Sequence, residues 1–306
     1  MGFYSKISNG LKLLYDSRFR WLYLSNMGKY DNLDDEIYLK QKFFARMGKE
    51  LNISTPQTFN EKLQWLKLYN RKPEYVMMVD KYAVRKYIAD TIGKEYLIPL
   101  LGVWDNPNDI DFDALPNQFV LKCNHNSGLG MCICRDKSKL DIEKVKSDLR
   151  KGLQQDYYLI GREWPYKDVS RKIICEKYMS DKGKEELSDY KVLCFDGEPK
   201  LIEIHHGRFN GMHTQDIYDS TWCKTDIEQP GLPITKEVLS KPVFLDEMLN
   251  LSRKLSQGIC HVRIDWYYTN NRLYFGEITF FDGSGFDPFC GDADELLGSW
   301  IKLPNK

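Results

Sequence analysis

Apolar positions recur at helical spacing early in the chain and gather into strand-like runs later. Leu39, Phe43, Phe44 and Met47 share a helical stripe, and residues 1–75 read as helical with a break at Asn52–Pro56. Thr58 and Glu61 form a capping box, after which Leu63, Leu66 and Tyr69 fall on one face. Asp80 is a cap for a helix from Lys81 to Ile92, closed by Gly93. Beyond Gly93 the period changes. Tyr96–Leu101, Phe119–Cys123, Met131–Cys134 and Lys172–Glu176 read as strands, with a charged amphipathic helix at 139–153. A second strand-rich part begins near Asp189: Tyr190–Phe195, an Asp196-Gly197 turn, then Pro199–Ile204. Residues 235–257 read as helical, and a hairpin follows. Mixed helices and hairpins imply an α+β fold rather than a parallel doubly wound sheet.

That hairpin carries the sharpest chemistry. Arg263-Ile-Asp265 and Glu277-Ile-Thr279 flank Asn270-Asn271, a turn signal between aromatic runs. Strand side chains alternate faces, so Arg263 and Asp265 share one face, and Glu277 and Thr279 share one. A three-residue loop places Asp265 opposite Glu277, with Ile264, Trp266, Ile278 and Phe280 on the other side. A two-residue loop puts the carboxylates on opposite faces. Adjacent carboxylates call for a cation, for which a hard divalent ion is suited, and Arg263 is placed to meet a phosphate. A solvated edge hairpin is the plain alternative.

Lys122 ends an apolar strand and precedes Asn124-His-Asn-Ser-Gly-Leu-Gly130. Glycines let backbone N–H groups approach an anion, and the lysine supplies a point charge. The loop is not a Walker A sequence, and an ordinary hairpin turn has the same letters. His205, His206 and Arg208, near Asp216, Asp219 and Trp222, follow a strand; they could contact an acidic substrate or belong to an ordinary polar loop.

The 306 residues hold 44 Lys+Arg against 44 Asp+Glu, which gives no support to nucleic-acid binding by bulk charge. None of the eight cysteines lies in a Cys-x-x-Cys pair, and most sit in apolar runs, as reduced cysteines of a cytoplasmic protein do. Cys132, Cys134 and His125 lack zinc-site spacing. No signal peptide or membrane-spanning run is visible. The N-terminus mixes Lys6, Lys12, Arg18 and Arg20 with Ile7, Leu11, Leu13, Leu14, Trp21 and Leu22. It could lie on a membrane surface, but the favoured reading is a helix packed on its own protein.

The order Asp80-Lys81, Val-Leu-Lys122, glycine loop, Cys-Glu176-Lys-Tyr-Met179, Asp189-Tyr-Lys191, Arg263-x-Asp265, Glu277-x-Thr279 resembles the ATP-grasp superfamily, and several pieces are similar to those of D-alanine–D-alanine ligases. A closer resemblance is to the TupA-like ATP-grasp family, named for a teichuronopeptide biosynthesis protein. It is carried by Thr58–Lys67, Asp80–Arg85, Ile98–Val103, Leu115-Pro116, Phe119–Lys122 and Gly276–Phe286, and spans nearly all of the chain after about residue 36. The resemblance implies two α+β lobes with antiparallel sheets clamping ATP: a helical region at 1–78, a small lobe at 79–179 and a large lobe at 180–306.

By the same resemblance, Lys81 and Lys122 contact ATP phosphates, and Asn126, Ser127, Gly128 and Gly130 close over them. Glu176, Lys177, Tyr178 and Met179 form the hinge that pairs adenine, mostly through backbone groups of Lys177 and Tyr178. Asp189 takes the ribose, Lys191 reaches the phosphates, and Arg263 stabilises the γ-phosphate in flight. Asp265 and Glu277 hold Mg2+ with Thr279. The wider superfamily has Asn where Thr279 stands, and a hydroxyl is the weaker magnesium ligand. The TupA-like pattern itself has Thr there.

The implied reaction activates a carboxylate as an acyl phosphate, which an amine then attacks to form an amide. Closure of the glycine loop excludes water from that intermediate. The family name implies a uronic-acid or amino-acid carboxylate in cell-surface polysaccharide biosynthesis, and proximity to membrane-bound machinery at the inner face of the membrane. A glycosyltransferase, an ATP-grasp kinase and a non-catalytic assembly scaffold are the competing readings. The transferase signal, Asp109-Ile-Asp111-Phe-Asp113, reads as a loop or cap.

Overall fold

The computed structural model describes residues 12–180, 188–206 and 213–305. The Lys6, Ile7 and Leu11 part of the basic, apolar N-terminal stretch lies outside them, as does Arg208. Helices α1 (Ser17–Asn26), α2 (Asp35–Met47), α3 (Phe59–Tyr69), α4 (Glu74–Val79) and α5 (Val84–Thr91) come first. Strands β1 (Leu100–Trp104), β2 (Phe119–Cys123), β3 (Cys132–Cys134) and β4 (Ile173–Lys177) follow, with α6 (Ile142–Gln154) and α7 (Tyr158–Gly161) between β3 and β4. Then come β5 (Ser188–Phe195), β6 (Glu198–His206), β7 (Thr214–Asp219), α8 (Leu245–Ser256), β8 (His261–Thr269), β9 (Arg272–Thr279) and α9 (Ala293–Trp300).

The strands form two sheets, ordered β1-β4-β2-β3 and β7-β6-β5-β8-β9. Every neighbouring pair is antiparallel. Each sheet has its own core. Phe119, Leu121, Ile173 and Cys175 of the small sheet pack with Val145 and Leu149 of α6. Val192, Ile202, Ile264 and Trp266 of the large sheet belong to a core that also takes in Met248 and Leu255 of α8. Trp266 Nε1 donates to Ser252 Oγ of α8 at 2.9 Å. Each such apolar side chain contributes about 1.5–3 kcal/mol by burial.

The N-terminal helices share the core of the large sheet rather than forming one apart. The Thr58–Glu61 capping box starts α3, and Phe59 packs against Phe195, His261 and Phe289. At α1, half-buried Trp21 stacks on Tyr30 and donates to Gln41, so this helix lies on its own protein. No helix among the described residues is long and apolar enough to cross a membrane.

Several element bounds differ from the sequence reading. Helix α8 starts at Leu245 and leaves 235–244 non-helical, because Pro242 cannot serve as an interior helical donor. The expected strand at Tyr96–Leu101 begins only at Leu100, after a 3-10 turn over Lys94–Tyr96 and Pro99. Asp216 and Asp219 lie in a strand, β7, not in a loop. The Asn270–Asn271 loop has two residues, both in the left-handed region (φ 52° and 57°).

Candidate functional site

A two-residue loop alone sends Asp265 and Glu277 to opposite faces. A bulge at Gly276 reverses that. Trp266 pairs with Phe275 and Asp265 with Glu277, leaving Gly276 without a partner residue across the ladder. A Cβ on Gly276 would meet the Asp265 carbonyl oxygen and the Tyr267 ring at 3.0 Å, so only glycine fits freely. The three-residue loop of the sequence reading is absent, yet its consequence for the carboxylates holds.

The register aligns functional side chains in rows. Lys191 on β5 pairs with Asp265, which pairs with Glu277; on the other side Lys191 pairs with Glu203 of β6. Arg263 lies in the next row, opposite Thr279. Arg263 donates to Asp265 through Nε at 2.7 Å and Nη2 at 2.9 Å. The same Nη2 reaches Glu277 Oε1 at 3.2 Å and Thr279 Oγ1 at 3.3 Å. Its Nη1 pairs with Asp282, just beyond β9. Lys191 pairs with Asp265 and, at 3.0 Å, with Asp189.

The small sheet supplies more cations. Lys122 pairs with Glu176 at 2.7 Å across β2 and β4, and Arg85 reaches the other Glu176 oxygen at 3.1 Å. Lys81 donates to the Asn126 carbonyl at 2.9 Å and lies 3.5 Å from Glu277, so it links the glycine loop to the large sheet. Asp80 is not the cap of a helix from Lys81: α5 begins at Val84 with Ala83 before it, and Asp80 instead accepts from the Tyr82 and Ala83 N–H groups of the intervening turn and holds the Asn124 amide at 2.7 Å.

The loop divides into an anchor and a tip. Asn124, His125 and Asn126 are buried. Asn126 Nδ2 donates to Gly152 O and Gln155 Oε1, so its side chain is engaged in holding the loop down. Ser127, Gly128 and Leu129 are exposed. Gly128 has φ 82° and open space where a Cβ would sit. At the expected hinge, the Lys177 N–H donates to Pro99 O at 2.9 Å, which takes it out of adenine pairing. Tyr178 and Met179 are half-buried.

Electrostatics follow from this crowding. Burial raises the Asp265 carboxyl, but Arg263 and Lys191 more than offset it and bring it down to about 2. Burial also raises Glu277, yet Lys81 and Arg263 leave it below its ordinary value. Lys191 is pushed down by burial and up by Asp265, ending raised. Both facing carboxylates are thus ionised at neutral pH.

These two oxygen donors suit a hard divalent cation chemically. Magnesium is held by one or two carboxylates plus substrate phosphates rather than by an all-protein cage. No group of three or more His, Cys, Asp or Glu among the described residues is placed to hold a metal ion. The Arg263 guanidinium bridges Asp265 and Glu277, and Thr279 is engaged by the same nitrogen.

A family profile described as TupA-like ATPgrasp matches residues 61–302. The chain belongs to the TupA-like ATP-grasp family. Its two antiparallel sheets and N-terminal helices are therefore those of an α+β ATP-grasp fold. No curated protein sequence matches the chain. Solved structures similar to this TupA-like chain include D-alanine–D-alanine ligase from Bacillus anthracis complexed with ATP, at 16% identity and TM-score 0.40 over 67% of this chain and 54% of that one. The chain thus spans about half the length of that ligase. The Helicobacter pylori D-alanine–D-alanine ligase gives 15% and 0.43, over 80% and 69% of the two chains. The D-cycloserine synthetase DcsG gives 12% and 0.40, over 73% and 69%. The assignment rests on the family match.

Two residues enter the site with no role assigned to them from the sequence, although Arg85 ends the Asp80–Arg85 motif. Glu203 sits 2% exposed on β6, and Arg85 steadies Glu176. A signal existed for Glu203: it is the lone charge in the apolar run Leu201-Ile-Glu-Ile204. The Asp109–Asp113 segment is a surface loop in which Asp111 caps the Asp113 and Ala114 N–H groups.

Proposed function

We propose that the protein is an ATP-dependent carboxylate–amine ligase that forms an amide through an acyl phosphate. The observation that carries this reading is the convergence of Lys191, Arg263, Asp265 and Glu277 in adjacent rows of one sheet face, with Lys81 bridging to the glycine loop.

Lys81, Lys122 and Lys191 bind phosphate oxygens, and the Ser127–Leu129 tip covers them, with Gly130 buried at its base. The carbonyl of Lys177 and the backbone of Tyr178 and Met179 meet adenine, beside Glu176, and Asp189 meets the ribose. Asp265 and Glu277, with Thr279, hold Mg2+, which when bound offsets phosphate charge. Arg263 leaves its bridge between the carboxylates to stabilise the transferring phosphoryl group, an exchange of partners that needs no protein nucleophile. Loop closure keeps water from the activated carboxylate. We read 79–179 as the small lobe and 180–306 as the large one. We place the carboxylate on a uronic acid or amino acid of a cell-surface polysaccharide precursor, handled in the cytoplasm.

Calorimetric titration with a non-hydrolysable ATP analogue, with and without Mg2+, tests the nucleotide site. Magnesium-dependent binding that Asp265→Asn loses is the expected result. Absence of binding to folded wild-type protein overturns the reading.

A further inference from the structure

An amine nucleophile is protonated near neutral pH, and the proposed ligase needs a group to take its proton. None of the residues assigned above does so: the lysines and Arg263 are cations, and Glu176, Asp189, Asp265 and Glu277 are each paired with a cation. Glu203 differs. It lies in the same row, next to Lys191. Its side chain is 3% exposed, and Oε1 has no hydrogen-bond partner among the described residues. A buried carboxylate oxygen left without a donor is costly unless something comes to meet it.

We propose that Glu203 receives the nitrogen of the amine co-substrate and takes the proton it must lose before attack. This rests on the ligase reading. The charges facing Glu203 are Lys191 on β5, Arg263 and Asp265 on β8, and Asp282 beyond β9. His205, on its own strand, lies 4.0 Å from Oε2. When phosphate draws Arg263 and Lys191 away, Glu203 loses the cations that favour its charged form and so becomes the stronger base; the anionic share, which grows as pH approaches 8, is the form that takes the proton. The ammonium gives one proton to the Glu203 carboxylate. The freed lone pair forms the N–C bond, the C–O bond to phosphorus breaks, and the second proton leaves with phosphate. Burial, with Asp282 adding to it, pushes Glu203 up to about 8, near a working pH.

Hydroxylamine separates this step from the rest, because it is uncharged at neutral pH and needs no base. Full-length protein is given Mg-ATP, a panel of glucuronate, galacturonate, glutamate and alanine, and either hydroxylamine or methylamine. Glu203→Gln should raise the ratio of hydroxamate to methylamide turnover about 100-fold or more. An unchanged ratio, whether both rates fall together or neither falls, overturns the proposal while leaving the ligase intact. No hydroxamate from wild type with any carboxylate overturns the ligase reading, and this proposal with it.

Discussion

Asp265 and Glu277 face each other across β8 and β9 because Gly276 bulges out between them. The bulge is a geometric switch: removing it returns the hairpin to a register that parts the two carboxylates. Gly276→Ala places a methyl 3.0 Å from a backbone oxygen, which cannot retreat as a side-chain tip can. We expect a cost of about 1–3 kcal/mol and a larger fractional loss of turnover than of folded protein. Urea unfolding beside nucleotide hydrolysis checks it; wild-type turnover in the variant refutes the role of the bulge.

The two carboxylates should respond differently to amide substitution. Asp265 is 4% exposed and holds both Arg263 and Lys191, so Asp265→Asn breaks a buried network at a cost of ~3–5 kcal/mol. Glu277 is 35% exposed, and Glu277→Gln should cost about 1 kcal/mol or less. Both variants should lose Mg2+-dependent nucleotide binding. Glu277→Gln is therefore the cleaner test of metal binding, and equal destabilisation in calorimetry contradicts the burial argument.

Local rules carried much of this site from the sequence. Alternation placed Arg263 with Asp265 and Glu277 with Thr279, and the capping box placed α3. What stayed hidden depends on contacts distant in sequence. The bulge at Gly276 has no local signature beyond the glycine, the sheet order that brings Glu203 beside Lys191 is a tertiary fact, and Asn126 looks like a loop donor until Gly152 and Gln155 claim its amide. The start of α8 failed for a nearer reason, since Pro242 interrupts a pattern that the apolar positions alone continue.

Lys122 and Arg85 share Glu176. Lys122→Ala therefore removes the proposed phosphate contact but leaves Glu176 paired with Arg85, and the fold should tolerate it. Affinity for the ATP analogue should fall about tenfold or more, the equivalent of about 1.4 kcal/mol. Unchanged affinity takes Lys122 out of the site.

Acid–base linkage gives opposite slopes for two carboxylates. Glu203 is raised to about 8 from an ordinary 4.5, so between those pH values the native state binds more protons than the unfolded chain. Its contribution to stability is present at low pH and is lost as pH rises through that window. Asp265, lowered to about 2, contributes above an ordinary 3.8 and loses that contribution as pH falls through 2. Urea midpoints from pH 5 to 9 should thus decline less steeply in Glu203→Gln than in wild type. Parallel curves contradict the raised value.

Lys67 ties the site to the helical region. It is fully buried on α3, and its Nζ donates to Gly161 O and Ser284 O at 2.7 Å, and to Ser284 Oγ and Gln64 Oε1 at 3.0 Å. Ser284 lies in a left-handed run with Gly283 and Gly285, and the loop begins with Asp282, the partner of Arg263. Burial lowers Lys67 to about 7, with Glu163 opposing the shift. Lys67→Met keeps the length of the side chain and strips every one of those donors. It should cost ~3–5 kcal/mol by leaving buried acceptors unpaired and removing the positive charge that favours ionised Glu163. It should also release Asp282, so turnover of the protein that remains folded falls as well. A variant that melts early but turns over normally per folded molecule makes Lys67 a purely structural residue.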